Sequence, residues 1–160
     1  MGNNRSALWA SVSAAVVAIA LCATSVSAAG RPLGFAEIAG RWRLMYSGRY
    51  GFEFTFTKNY RAICVMYLRS HAYVFRGVYT IEEGDRIRFN VSDMKNEKSA
   101  GHINLKSGFV KASSSYFIFH AGLDRSRGRP TLVLKPERII IDGRNSDGYF
   151  EPEMRLEKSG

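Results

Sequence analysis

Beyond residue 40 the chain alternates apolar and polar residues at every second position, over and over, and almost nowhere at helical spacing. Phe52-Glu53-Phe54-Thr55-Phe56-Thr57 puts three Phe rings on one face, and Ile87, Phe89 and Val91 oppose Arg86, Arg88 and Asn90. Successive side chains of a strand point to opposite sides, so such runs fold as half-buried strands. Residues 73–81 likewise place Tyr73, Phe75, Gly77, Tyr79 and Ile81 on one side, while residues 60–68 are apolar on both faces and predict a more deeply buried strand. Further strands are expected over 102–105, 115–120, 131–135, 138–142 and 149–158, with a polar loop over 93–101. Lys58-Asn59, Glu82-Glu83-Gly84-Asp85 and the segments 122–130 and 143–148 carry turn chemistry. Gly77 inside a strand pattern marks a sharp bend, and Pro152 an edge or bulge. One helical turn is expected over 35–39. Many short strands joined by hairpin-length links make an antiparallel sheet whose edges must be hidden, and closure hides them best. The fold class is therefore all-β, an antiparallel up-and-down β-barrel of about 8–10 strands.

The first 29 residues obey a different grammar. A short polar start with Arg5 precedes an apolar run over 7–23, and Ser25-Val26-Ser27-Ala28-Ala29 closes it with small residues. That is the layout of a secretory signal peptide, with cleavage after Ala28 or Ala29. A membrane span needs about 20 consecutive apolar residues, whereas this run is Ala-rich and broken by Ser11 and Ser13. Gly2 satisfies a loose acylation pattern that the apolar run overrides, and Cys22 follows Leu21 rather than the small residue a lipid-anchored Cys wants. The expectation is export to the periplasm or beyond, no transmembrane span in the mature chain, and a single domain over 30–160.

Loss of Arg5 with the leader takes the formal charge from +9 to +8. So basic an exported domain favours anionic partners such as lipid head groups, envelope polymers or acidic proteins, and export argues against nucleic acid. With Cys22 gone only Cys64 remains, which excludes an internal disulfide and suits a small buried hydrophobe. Catalytic chemistry is poorly supplied. His71, His102 and His120 are far apart with no carboxylate at metal-ligand spacing, and Ser113-Ser114-Ser115 lacks a nucleophile elbow. Glu82-Glu83 lies in a turn and reads as solvated; His120 alternates with Tyr116 and Ile118 and is expected inside as a hydrogen-bonded core residue. Asn90-Val91-Ser92 fits a glycosylation sequon, relevant only in a eukaryotic secretory route. No enzyme activity, cofactor or metal is expected.

Two candidate sites remain. Phe52, Phe54, Phe56, Tyr73, Phe75, Tyr79 and Phe89 form the inward set. They either line a pocket for a small hydrophobic or amphipathic ligand or fill the barrel as a solid core. Arg125, Arg127 and Arg129 alternate on the loop from Asp124 to Pro130 and suit bidentate capture of an anion, or simply solvate the loop. Lys106, Lys111, Lys135 and Arg138 extend that field if their strands adjoin.

Phe35-Ala36-Glu37-Ile38-Ala39-Gly40-Arg41-Trp42 resembles the start of a lipocalin. In that family a short 3₁₀ turn leads into Gly-x-Trp on the first strand, the Trp closes the narrow end of the barrel, and an Arg from the last strand packs across it. The resemblance covers residues 33–157 in layout and is closest to bacterial lipocalin-like, calycin-type domains. It implies barrel closure by Gly40, Trp42 and Arg155, and an exported binding protein for a small hydrophobic or amphipathic ligand. The alternative is a solid-core interaction protein, envelope-associated or inhibitor-like, whose basic loops meet an anionic polymer, a membrane surface or a protein.

Overall fold

The computed structural model describes residues 32–47 and 50–160, so the leader expected over 1–29 lies outside the described residues. One helical turn, α1 (Phe35–Ile38), leads into β1 (Gly40–Ser47), β2 (Tyr50–Phe56), β3 (Arg61–Leu68), β4 (His71–Ile81), β5 (Arg86–Glu97), β6 (Val110–Asp124) and β7 (Thr131–Ile141). A two-residue strand β8 (Arg144–Asn145), a 3₁₀ turn (Asp147–Tyr149) and β9 (Met154–Ser159) complete the chain. Each strand from β1 to β7 pairs antiparallel with the next; β9 then bridges β7 back to β1, and β8 folds onto the end of β7. The result is a closed eight-stranded antiparallel barrel with a short ninth strand, an architecture consistent with a calycin-type barrel. Closure leaves no continuous free edge.

The period-two face of nearly every strand points inward, as the alternation predicts. Trp42, Phe52, Phe54, Phe56, Cys64, Tyr79, Ile87, Phe89, Phe117, Phe119, Leu132, Leu134 and Leu156 are all buried there. The interior is packed ring on ring. Phe117 contacts Phe75, Phe89 and Phe150 at centroid distances of 5.1, 5.5 and 5.3 Å, mostly edge to face, and Phe54 meets Phe119 at 5.6 Å. Such pairs add about 0.5–1.5 kcal/mol each beyond the area they bury. Of the two readings of the inward set, the barrel's depth follows the solid core.

Beta-bulges correct several expected boundaries. Residues 93–101 are not all loop: β5 runs on to Glu97, with Ser92 as an extra residue between the pairs Gly77–Val91 and Arg76–Asp93. The Ser92 hydroxyl donates to Arg76 O across the bulge. Gly77 is required opposite it, because a Cβ there would stand 1.9 Å from Asn90 O. The runs 131–135 and 138–142 are one strand, β7, broken in register where Phe119 pairs Pro136 and Ile118 pairs Arg138. Pro152 precedes β9 in a bend. Residues 102–105 are not a strand; they belong to a loop over 98–109 that crosses the outside of the barrel.

That loop explains why β3 is apolar on both faces. Ala100, Ile103 and Phe109 cover an outer cluster of Val65, Tyr67, Ala72 and Val74. Lys95 pins the cover. Its ammonium, almost fully buried, donates to Asn104 O and to Ser107 O (3.2 Å), pairs with Glu97 (2.5 Å) and lies 5.0 Å from the Phe109 ring centre. The Lys95 ammonium in turn holds the Glu97 carboxyl below the usual carboxylate range.

Candidate functional site

The two ends of the barrel differ. At the closed end α1 folds across the opening and Ile38 O accepts a 2.6 Å hydrogen bond from Trp42 Nε1–H. Trp42 is completely buried, as the Gly-x-Trp resemblance implies. Its cationic partner, however, is Lys158 at 5.3 Å from the ring and not Arg155. Met154 and Leu156 point inward, so strand parity sends Arg155 outside, where it pairs with Asp124 and Glu153. Gly40 makes room for the lysine: its φ is +135°, and a Cβ would sit 2.9 Å from Lys158 Cε.

At the opposite end a cleft of about 490 Å³ opens between β4, β5 and the β7–β8 turn. Tyr73, Phe75, Met94 and Ile141 form its apolar floor, and Asp142, Arg144, Ser146 and Tyr149 its rim. Asp142 holds a left-handed backbone, φ 48°, and is tied down on both sides. Its carboxylate accepts from Ser113 N–H at 2.9 Å and Ser115 Oγ at 3.4 Å, while its own N–H donates to Ser115 Oγ at 2.8 Å. It fixes the rim rather than offering a free anion. The Arg144 guanidinium is the contrast: it makes no hydrogen bond or ion pair among the described residues. The cleft therefore combines an apolar floor, an exposed phenol at Tyr149 and one unspent cation.

Of the ligand-binding candidates read from the sequence, Tyr73 and Phe75 line this cleft. Phe54, Phe56, Tyr79 and Phe89 lie below it in the packed interior, and the Tyr79 hydroxyl is satisfied by Thr57 O at 3.0 Å. Met94, Ile141, Arg144 and Tyr149 were not legible as site residues. The turn-rich segment 143–148 was the available signal, since it carries the rim.

The basic loop is less free than its sequence suggests. Arg125 pairs with Glu37 at 2.9 Å. Asp124 sits beneath the loop with its carboxyl held down to about 2, first by the Ser126 hydroxyl and backbone N–H and then by Arg155. Arg127 and Arg129 are exposed and unpaired among the described residues. Lys135 is committed to Glu153 at 3.1 Å, and Lys111 to Asp93 at 3.0 Å near the other end of the barrel, so no continuous field joins them. His120 faces out instead of in, between Asp85 (3.2 Å) and Glu137 (3.3 Å). Burial pushes the Cys64 thiol well up, which suits an inert core residue. Among the described residues no group of three or more His, Cys, Asp or Glu side chains is placed to hold a metal ion, and no helix is long and apolar enough to cross a membrane. No protein-family model, curated protein or solved structure matches this chain.

Proposed function

We propose that this chain is an exported, lipocalin-like binding barrel that holds a small amphipathic anion at its open mouth. The observation that carries the reading is the cleft itself, where an apolar floor of Tyr73, Phe75, Met94 and Ile141 lies within one concavity with the uncommitted guanidinium of Arg144. Pockets that pair a mostly apolar lining with a few polar groups suit ligands with an apolar body and one orienting charge. The bulk of the ligand rests on the floor and its carboxylate or similar group meets Arg144, while the aromatic core beneath supplies rigidity and excludes deeper entry. The protein acts by binding, not by turnover, and the leader over 1–29 directs it out of the cytoplasm.

Titration of the purified protein with a fluorescent fatty acid tests this. A hydrogen bond to a charged group contributes about 1.5–3 kcal/mol, so Arg144→Ala should weaken binding about 10- to 100-fold. Unchanged affinity in Arg144→Ala, or no binding by the parent protein, refutes the mouth as the site. A second reading rests on Arg127 and Arg129, exposed and unpaired above a solid interior: an interaction protein for an anionic surface. It requires vesicle binding that Arg127→Ala and Arg129→Ala abolish and that weakens steeply with salt.

A further inference from the structure

A second concavity lies on the outer wall and shares no lining residue with the mouth cleft. It has a volume of about 380 Å³ and is lined by Arg43, Tyr67, the β3–β4 turn residues Arg69 and Ser70, and Ser99 to Gly101 of the covering loop. Its walls are fixed. Ala100 N–H donates to Ser70 O at 3.3 Å, and the Lys95 clasp holds the rest of the loop down.

The charge in this concavity is not balanced. Arg41 and Arg43 share one carboxylate, Glu53, at 3.4 and 3.6 Å, both long for an ion pair. Arg69 has no ion pair or hydrogen bond among the described residues, and neither do the side-chain hydroxyls of Ser70 and Ser99. Of the residues that line the concavity, Arg43 and Arg69 are cationic and none is a carboxylate, so two guanidiniums face a hydroxyl-lined surface with only the shared Glu53 beside Arg43. Arg43 also rests over the Tyr67 ring at 5.6 Å, which orients its planar head.

The backbone makes the same point independently. Leu68 pairs His71, so Arg69 and Ser70 form a two-residue hairpin loop, and Arg69 holds φ 41°. Hairpin loops favour Gly or Asn at a position of positive φ. Strain of this kind concentrates where a side chain is needed in one place. Here the strained residue is one whose head group has no hydrogen bond or ion pair among the described residues.

We propose that this outer concavity is a binding site for a phosphate monoester, with Arg43 and Arg69 gripping the phosphoryl oxygens, the Ser70 and Ser99 hydroxyls donating to them, and the organic part lying along Tyr67 and Ala100. Guanidinium forks match tetrahedral oxyanions in geometry as well as charge. A volume of about 380 Å³ leaves room for a ring-sized group beyond the phosphate. The site stands apart from the mouth cleft and does not depend on its occupancy.

The test is NMR titration of the full chain with inorganic phosphate and with phenyl phosphate. Amide shifts should concentrate at Ser70, Ala100 and Gly101, with phenyl phosphate binding more tightly than inorganic phosphate. Arg69→Asn suits the positive φ, so it should leave the unfolding midpoint unchanged or higher while raising the dissociation constant about tenfold or more. Arg43→Gln should weaken binding similarly. Shifts centred on Arg127 and Arg129, equal affinity in Arg69→Asn, or an absence of binding would each overturn the proposal. Fatty-acid binding measured in the same variants separates this site from the mouth: Arg69→Asn should leave it unaltered.

Discussion

Phe117 is the residue on which to test whether the barrel is filled. It is fully buried and its ring touches Phe75 of β4, Phe89 of β5, Phe119 of its own strand and Phe150 of the segment before β9. Phe117→Ala removes a ring and leaves a void on the order of 100 Å³, which at about 24 cal/mol per Å³ costs about 2.4 kcal/mol. The lost transfer of the ring from water adds about 2 kcal/mol. The expected destabilisation is therefore about 4 kcal/mol, inside the usual range of about 3–5 kcal/mol for Phe→Ala in a core and a large share of the 5–15 kcal/mol that holds a typical domain. Urea unfolding monitored by circular dichroism measures it. The same substitution should create a dry apolar cavity able to take up benzene, whereas the parent protein should take up none. If the parent binds benzene internally, or if Phe117→Ala costs less than about 1 kcal/mol, the interior is hollow or plastic and the case for a mouth site fails with it.

Two further outcomes follow from the charged contacts. Asp124, held down to about 2, has a lowered carboxyl in the folded state. Its stabilising contribution is fully present above the ordinary carboxylate value of about 3.9 and is lost as pH falls through about 2. Asp124→Asn should therefore flatten the acid limb of the melting-temperature profile between those limits and leave its neutral part parallel to the parent; an unaltered acid limb would contradict the Ser126 and Arg155 contacts. Lys95→Met removes the clasp and strands the carbonyls of Asn104 and Ser107, at about 1–3 kcal/mol for the unsatisfied groups. Hydrogen exchange in residues 98–109 should accelerate well before the barrel strands exchange, and uniform acceleration throughout the chain would show that the loop is not separately held.

The barrel was readable because its signal is redundant. Phe52, Phe54 and Phe56 declare one inward face, Ile87 and Phe89 another, and any error in one strand is checked by its neighbours. Turn chemistry at Lys58-Asn59 and at Gly84 placed the hairpins. Two misreadings have a common origin in parity. The alternation with Tyr116 and Ile118 puts His120 inside, yet Phe117, Phe119 and Ala121 are the inward set. Ile118 is apolar and buried on the outside of the wall, between Arg88 and Arg138 on its neighbours, while Tyr116 lies under Arg88 at 4.5 Å. The lipocalin resemblance points to Arg155 where Lys158 stands, although counting by twos from Met154 through Leu156 arrives at the lysine. A barrel with apolar residues on both wall faces offers two candidate phases per strand, and only the partner strand decides between them.

The mouth was illegible for a more specific reason. A strand's side-chain period is two, so one inserted residue exchanges its faces. Strand β5 carries Ile87, Phe89 and Val91 inward at odd positions, then Ser92 intervenes and Met94 turns inward at an even one. Strand β7 reverses in the same way, from Leu132 and Leu134 to Ile139 and Ile141, across the break beside Glu137. Strand β1 slips between Met45 and Ser47, and β6 between Ser115 and Lys111 opposite β5. In β1, β5 and β6 the break falls towards the mouth, and in β7 it falls deeper, below the fully buried Ile139. Strands β2 and β3 keep one phase throughout, and so does β4 from His71 to Ile81; β4 is the strand that contributed Tyr73 and Phe75, the two cleft residues the sequence did reveal. On β5 the interior and the mouth are thus written in opposite phases. Changes of residue at the mouth need not disturb the aromatic packing below, and a deletion of Ser92 would straighten β5 while leaving Val91 and Met94 two positions apart and both inward.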